Sequence, residues 1–250
     1  MTLVVPAVLP ASRQEFEEAL ARITKLPLVS RIQIDVVDGR FATPASWPYF
    51  APPSPEATGG HGKATQGTPY HELEAMVQKG EMLPQLDRFE YEIDLMCLDA
   101  ERAAQPWLAL GATRLTFHAE SATDLSRLLT SARKRYGSLV SFGLAFNIAS
   151  DLALIESCLG EIEYVQFMGI ARIGRQAEPF DRRVFEKVRV FRERNPETPI
   201  QVDGGVSLEN AKRLIALGVS NLIVGSALMR ASDPVAALAA FEALQTPYGV

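Results

Sequence analysis

The stretch "PIQVDGGVSLENAKRLIALGVSNLIVGSAL", Pro199–Leu228, holds one full repeat of the architecture. A short β-rich run, "PIQVD", stops at Gly204-Gly205. Ser207, with Glu209 and Asn210 close behind, supplies the capping chemistry that opens a helix, and Gly218 stands where that helix should end. "NLIVGSA" (221–227) is then a second strand. A strand, a helix and another strand in this order build a parallel sheet.

The same rhythm runs outward over the chain. Strands are expected at 3–9, 31–37, 89–96, 113–119, 140–147, 164–170, 199–205 and 221–227. Helical segments fall between them, beginning with "RQEFEEALARITKL" (13–26), where Phe16, Leu20, Ile23 and Leu26 recur at helical spacing. Others are "AERAAQPWLALG", "ATDLSRLLTSARKRYG", "SDLALIESCLG", "DRRVFEKVRVFRER" and "DPVAALAAFEAL", with Gly111 and Gly160 at expected helix ends. Granting a helix around "YHELEAMVQKG" (70–80) gives eight strand-helix units. That count, in a chain of 250 residues, is expected of a single-domain α/β protein, the TIM (β/α)8 barrel. An open doubly wound sheet is the competing architecture, but no G-x-G-x-x-G follows the first strand.

Composition narrows the function. Hydrophobic residues make 47% and charged residues 22% of the chain, which is ordinary globular usage. A net charge of −5 argues against a nucleic-acid partner. Cys97 and Cys158 lie far apart and read as reduced core thiols. "MTLVVPAVLPAS" has no positive n-region and is broken by proline, and no apolar run approaches a membrane span, so a cytoplasmic protein is expected. Residues 42–70, rich in Pro, Gly, Ser and Thr, form a long loop after the second strand, within an insertion at about 42–80. Its tip (54–67) is expected to be mobile, and "SWPYF" is a candidate wall over the barrel mouth.

In a barrel, chemistry gathers at the strand ends of the C-terminal face. Those ends carry Gln33 and Asp35, Asp94 and Met96, His118 and Glu120, Asn147, Met168, Asp203 and Ser226. Each of Asp35, Asp94 and Asp203 taken alone serves equally well as a loop brace. Three carboxylates aimed at one space repel, so at least one must be protonated, paired with a cation or bound to a metal. Gly204-Gly205 after strand seven and Gly225-Ser226 after strand eight stand where barrels commonly bind phosphate through backbone N–H groups.

With these residues in place, the sequence resembles the ribulose-phosphate 3-epimerase family over nearly the whole chain outside 42–80. "IDVVDGRF" is similar to the family's H-x-D-x-M-D-G-x-F, and "IDLM" to its D-x-H-L-M. "LTFHAE", "GLAFN" and "VQFMGI" are similar to the fourth, fifth and sixth strand motifs, and Pro199–Leu228 to the closing segment. The resemblance implies a TIM barrel acting on a ketose phosphate such as ribulose 5-phosphate. It also implies a divalent metal between two histidines and two aspartates, with the aspartates moving the C3 proton through an enediolate. The aspartates carry over as Asp35 and Asp203. Gln33 stands in place of the first histidine and Asp94 in place of the second. Val37 replaces a pocket methionine, Ala7 a pocket serine, and Met96 and Met168 are retained. The sixth loop, "GIARIGRQAEPF", keeps Gly174 of a glycine-rich phosphate flap and adds Arg172 and Arg175 as candidate clamps for an anion.

Two readings of the cluster stay open. Gln33, Asp35, Asp94 and Asp203 form an oxygen-only set that favours Mg²⁺, Mn²⁺ or Ca²⁺ over Zn²⁺, with formal charge −1 around the bound ion. Alternatively no metal binds, and Asp94 accepts a hydrogen bond from the Gln33 amide. His61 and His71 in the long loop are candidate replacement ligands. A small phosphorylated sugar and a homo-oligomer are the expected partners. Two rivals to the epimerase are a non-catalytic phosphate binder and a phosphosugar lyase or decarboxylase. The latter lacks the lysine of a D-x-K-x-x-D strand-three motif in "EIDLMC".

Overall fold

A computed structural model describes residues 2–49 and 71–244. Eight strands form a closed parallel barrel in chain order. They are β1 (Leu3–Val8), β2 (Arg31–Val37), β3 (Glu90–Met96), β4 (Arg114–His118), β5 (Ser141–Phe146), β6 (Tyr164–Met168), β7 (Ile200–Asp203) and β8 (Asn221–Val224). β8 pairs with β1 through Leu3↔Asn221 to Pro6↔Val224, which closes the sheet and excludes the open doubly wound alternative.

The helices are α1 (Arg13–Ile23), α2 (His71–Gln78), α3 (Ala100–Ala109), α4 (Leu125–Tyr136), α5 (Ala153–Glu156), α6 (Arg183–Arg194), α7 (Leu208–Ala216), α8 (Ser226–Met229) and α9 (Pro234–Ala243). Local chemistry accounts for the ends of several. Ser12 caps α1 by accepting from the Glu15 N–H, and Ser207 and Asn210 form a reciprocal capping box on α7. The helix expected over "SDLALIESCLG" is cut to one turn, α5. Ser157 and Cys158 are weak helix formers, and a 3-10 turn over Leu159–Glu161 completes the crossover. Gly160 therefore lies inside that turn rather than closing a helix. None of the helices among the described residues is long and apolar enough to cross a membrane.

Strand alternation sorts the interior into two zones. Outward residues such as Ile32, Ile34, Val36, Tyr91, Ile93, Leu95, Val165 and Phe167 are buried under the helices and form the main core. Trp47 joins that core, stacked on Phe16 and edge-on to Trp107. "SWPYF", as far as Tyr49, thus packs into the helix layer rather than walling the barrel mouth. Phe50, the loop tip at 54–67, His61 and the side chain of His71 lie outside the described residues.

Candidate functional site

The inward residues are largely polar. β2 contributes Gln33 and Asp35, β3 Glu92 and Asp94, β4 Thr116 and His118, β6 Tyr164 and Gln166, β7 Gln201 and Asp203. All but Asp35 are buried. Two small apolar clusters accompany them, Val5, Ala7 and Ile223 with Leu3 on one side, and Val37, Ala42 and Met96 with Leu9, Phe41 and Ile173 near the mouth. The period of two accounts for the placement. Gln33 and Asp35 share a face of β2, and Asp35 lies in register with Asp94.

Gln33 Nε2 donates to Asp35 Oδ1 (2.8 Å) and to Asp203 Oδ2 (2.9 Å). The expected bond from Gln33 to Asp94 is not made, because Asp94 is already engaged elsewhere. Its Oδ1 lies 2.9 Å from His118 Nε2 and its Oδ2 accepts from Gln166 Nε2 at 2.9 Å. Gln166 Nε2 also reaches Asp203 Oδ2 at 3.4 Å. Burial, reinforced by Asp203 and Asp94, holds the Asp35 carboxyl well above the usual carboxylate range. Burial and the nearby Asp94 push Asp203 up to about 7. Burial pulls His118 down, but contact with Asp94 outweighs it and leaves the imidazole above its ordinary value. Near neutral pH the Asp35–Asp203 pair therefore holds at least one proton. Two neighbouring carboxyls in opposite protonation states can act as base and acid.

Above this layer lies a cavity of about 60 Å³. Asp35, Met96, Met168, Gly174, Arg175, Asp203, Gly204, Gly205, Gly225 and Ser226, all expected at the site, line it. Gly205 takes φ +67, and a Cβ there would meet Phe180 Cα at 2.8 Å, so the turn requires glycine. The backbone N–H groups of Gly205, Gly225 and Ser226 donate to no protein acceptor among the described residues. Gln33, Asp94 and His118 sit beneath the cavity rather than on its wall. Phe41 covers the His118 ring at a centroid distance of 5.4 Å. The Phe41 N–H is itself held by Asp38, which also binds the N–H groups of Arg40 and Leu98. Asp38 is thus a loop brace.

Of the residues expected to line the substrate pocket, His118 lies beneath it, and Asn147 and Arg172 lie elsewhere. Arg172 turns out to solvent and pairs with Glu178. Asn147 is anchored by its backbone, to the Glu120 carboxylate and to Lys187 Nζ, and Glu120 also takes the Ser150 hydroxyl. Asn147 and Glu120 therefore brace the fifth loop. Arg175 does reach the cavity, where its Nε donates to Thr43 O at 3.1 Å. Sequence reasoning did not single out Gln166, Gln201 or Glu92, although each lies two positions before a residue it had placed at a strand end, on the same strand face.

Asp35, Asp94 and Asp203 each present an oxygen within 4.8 Å of the others, close enough for one cation to touch all three. The surrounding donors do not fit that cation. N–H groups of Gln33 and Gln166 face the carboxylates from inside the cluster, and His118 Nε2 is spent on Asp94. The histidine–aspartate set implied by the family resemblance is not reproduced.

A closed (β/α)8 barrel with a carboxyl pair under a glycine-lined mouth defines a class of small-molecule enzyme-like barrels. The Ribulose-phosphate 3 epimerase family model matches residues 74–229, and the chain belongs to that family. It is 26% identical over 146 residues to ribulose-phosphate 3-epimerase of Escherichia coli K12, covering 57% of this chain and 63% of that protein. The chain thus spans less than two thirds of that relative's length. Against the Aquifex aeolicus ribulose-phosphate 3-epimerase it is 24% identical over 206 residues, 81% of this chain and 78% of the relative. Among solved structures, 3-hexulose-6-phosphate synthase from Salmonella typhimurium superposes with a TM-score of 0.65 at 16% identity, covering 97% of this chain and 98% of that one. 3-Keto-L-gulonate-6-phosphate decarboxylase from Vibrio cholerae gives 0.66 at 10% identity, covering 97% and 96%. At these identities the structural matches speak for the barrel alone.

Proposed function

We propose that this protein epimerises a ketose phosphate, such as ribulose 5-phosphate, by moving a proton at the carbon beside the carbonyl. The observation that carries this reading is the Asp35–Asp203 pair. The two carboxyls come from β2 and β7, share the Gln33 amide and line one cavity. One carboxylate removes the proton from one face of the reacting carbon, and the protonated partner returns a proton to the other face. Their raised pKa values suit both tasks near neutral pH. The free N–H groups of Gly205, Gly225 and Ser226, with Arg175 and Gly174 on the facing loop, would hold the phosphate. Met96, Met168 and Ile170 would exclude water around the sugar carbons.

The test is incubation of purified protein with ribulose 5-phosphate in D₂O, followed by NMR at C3. Deuterium incorporation with appearance of the C3 epimer is expected. No incorporation from this or any other ketose phosphate tried, despite measurable phosphate-ligand binding, would leave the non-catalytic binder as the better account.

A further inference from the structure

We infer that a chain of buried side chains rising from the Glu92–Arg114 ion pair locks an amide N–H against the carboxylate cluster, so that this pocket works without a divalent cation. The chain begins at Glu92, whose Oε2 takes Arg114 Nε at 3.0 Å and whose Oε1 takes the Thr116 hydroxyl at 3.0 Å and Gln201 Nε2. A carboxylate beside an arginine accepts hydrogen bonds and does not donate them. Gln201 must therefore turn its NH₂ toward Glu92. The same nitrogen donates to Gln166 Oε1 at 2.7 Å, while Gln201 Oε1 accepts from Asn221. With Oε1 committed to Gln201, Gln166 has its NH₂ left to face Asp94 and Asp203.

The polarity is fixed at each link. Reversing Gln166 would set its NH₂ against the NH₂ of Gln201 and its Oε1 against two carboxylates, and the site is too deeply buried for water to compensate. Glu92, Gln166 and Gln201 are all fully buried. The positive end of the Gln166 amide thus points permanently at the place a cation would occupy. Gln33 differs, because its Oε1 is buried with no hydrogen-bond partner among the described residues, and its Nε2 is held by Asp35 and Asp203 alone among them. Its amide is free to turn over for a cation, whereas that of Gln166 is not. Gln166 is therefore the positioning residue that decides the matter, and Gln201 holds it in place. The two amides and His118 supply the cluster with donors that the family's metal would otherwise replace.

The inference shares its site with the proposed epimerase, but its test reads metal content, so failure of either leaves the other distinguishable. Purified full-length protein would be dialysed, assayed for metal by mass spectrometry, and titrated with Mn²⁺ by EPR up to about 1 mM, the weak end of natural divalent sites. Wild type is expected to carry far less than one metal per chain and to show no Mn²⁺ binding. Gln201→Met, which frees the Gln166 amide to turn, and Gln166→Leu, which removes it, are each expected to bind Mn²⁺ at least ~10-fold more tightly than wild type. Near-stoichiometric metal in wild type overturns the inference whether or not the variants fold. So does unchanged Mn²⁺ binding in both folded variants. Where turnover of a ketose phosphate is measurable, it should survive chelator treatment.

Discussion

Gln33 and Asp203, separated by 170 positions in the chain, are joined by a 2.9 Å hydrogen bond across the barrel lumen. The same Gln33 nitrogen holds Asp35, so a single NH₂ group couples the two carboxyls. Replacing Gln33 with Leu removes both bonds, taking the donor from Asp35 Oδ1 and leaving Asp203 Oδ2 with only the longer contact from Gln166 Nε2. A loss of about 1–3 kcal/mol of stability is expected at neutral pH. Urea denaturation should show that loss shrinking toward pH 5, where the carboxyls are protonated and repel less. A loss that stays constant with pH would mean that Gln33 acts through packing alone.

The wild-type stability profile should carry the mark of these acids. Both have folded-state pKa values raised above the unfolded value of about 3.9, so the folded chain binds more protons than the unfolded chain above pH 4. Their contribution is therefore lost as pH rises, from about 4 up through about 7 for Asp203. The limiting slope is about 1.4 kcal/mol per pH unit for each group titrating. Asp203→Asn should flatten this fall, as read from denaturation midpoints between pH 5 and 8. An unchanged slope in that variant would place the titration elsewhere.

The outer architecture and the inner site were not equally legible in the sequence. Strand positions followed from β-rich runs bounded by Gly, Pro and capping residues, and the Ser207–Asn210 cap marked α7 correctly. That Asp35, Asp203 and the glycine turns would face one cavity was readable because strand ends in a barrel converge. Partner choice inside the lumen could not be read the same way. Whether Gln33 bonds Asp94 or Asp203 depends on strand stagger and on competition from Gln166 and His118, which no local pattern encodes. Arg172 and Arg175 differ by three positions in one loop, yet the exposed Arg172 pairs with Glu178 and Arg175 reaches Thr43 over the cavity. Loop conformation makes that choice, and residue type does not.

Gly143 and Tyr164 make a stability prediction inside the barrel. A Cβ on Gly143 would lie 2.1 Å from Tyr164 Cε2 and 2.3 Å from its Cζ, so the ring occupies the volume that any side chain at 143 would need. Tyr164 is fully buried, with its hydroxyl 2.8 Å from Thr116 Oγ1, and has little room to retreat. Gly143→Ala is expected to cost about 1–3 kcal/mol through overpacking, visible as a fall in Tm. A neutral result would show that the ring can swing away from the Glu92 network.

The sixth loop should open for substrate, because a cavity of about 60 Å³ is far below the ~300–1,000 Å³ usual for ligand pockets. It is held down by Arg175 on Thr43 O, Gln176 on Leu9 O, and Arg230 on Gln176. Arg175→Ala should speed amide exchange over residues 170–178 and weaken binding of a phosphorylated ligand by about tenfold, the equivalent of ~1.4 kcal/mol. Arg172→Ala removes an exposed guanidinium that does not line the cavity, though its partner Glu178 does, and should weaken binding by less than Arg175→Ala. Equal effects of the two substitutions would show that charge near the mouth matters and the latch does not.

Asp35→Asn and Asp203→Asn separate a two-group epimerase from a single-base enzyme and from a passive binder. If each carboxyl serves one face of the reacting carbon, either variant loses interconversion by about 10²–10⁴-fold in kcat, with KM little changed. The surviving carboxyl still reaches the C–H on its own side. Each variant should therefore exchange deuterium from D₂O into the one epimer whose hydrogen faces that carboxyl, without forming the other epimer. The epimer labelled by Asp35→Asn should be the one that Asp203→Asn leaves unlabelled. Label entering the same epimer in both variants would assign both steps to a third group. A passive binder would show no exchange in either variant, and would hold an anionic ligand as tightly as wild type or tighter once a carboxylate was removed.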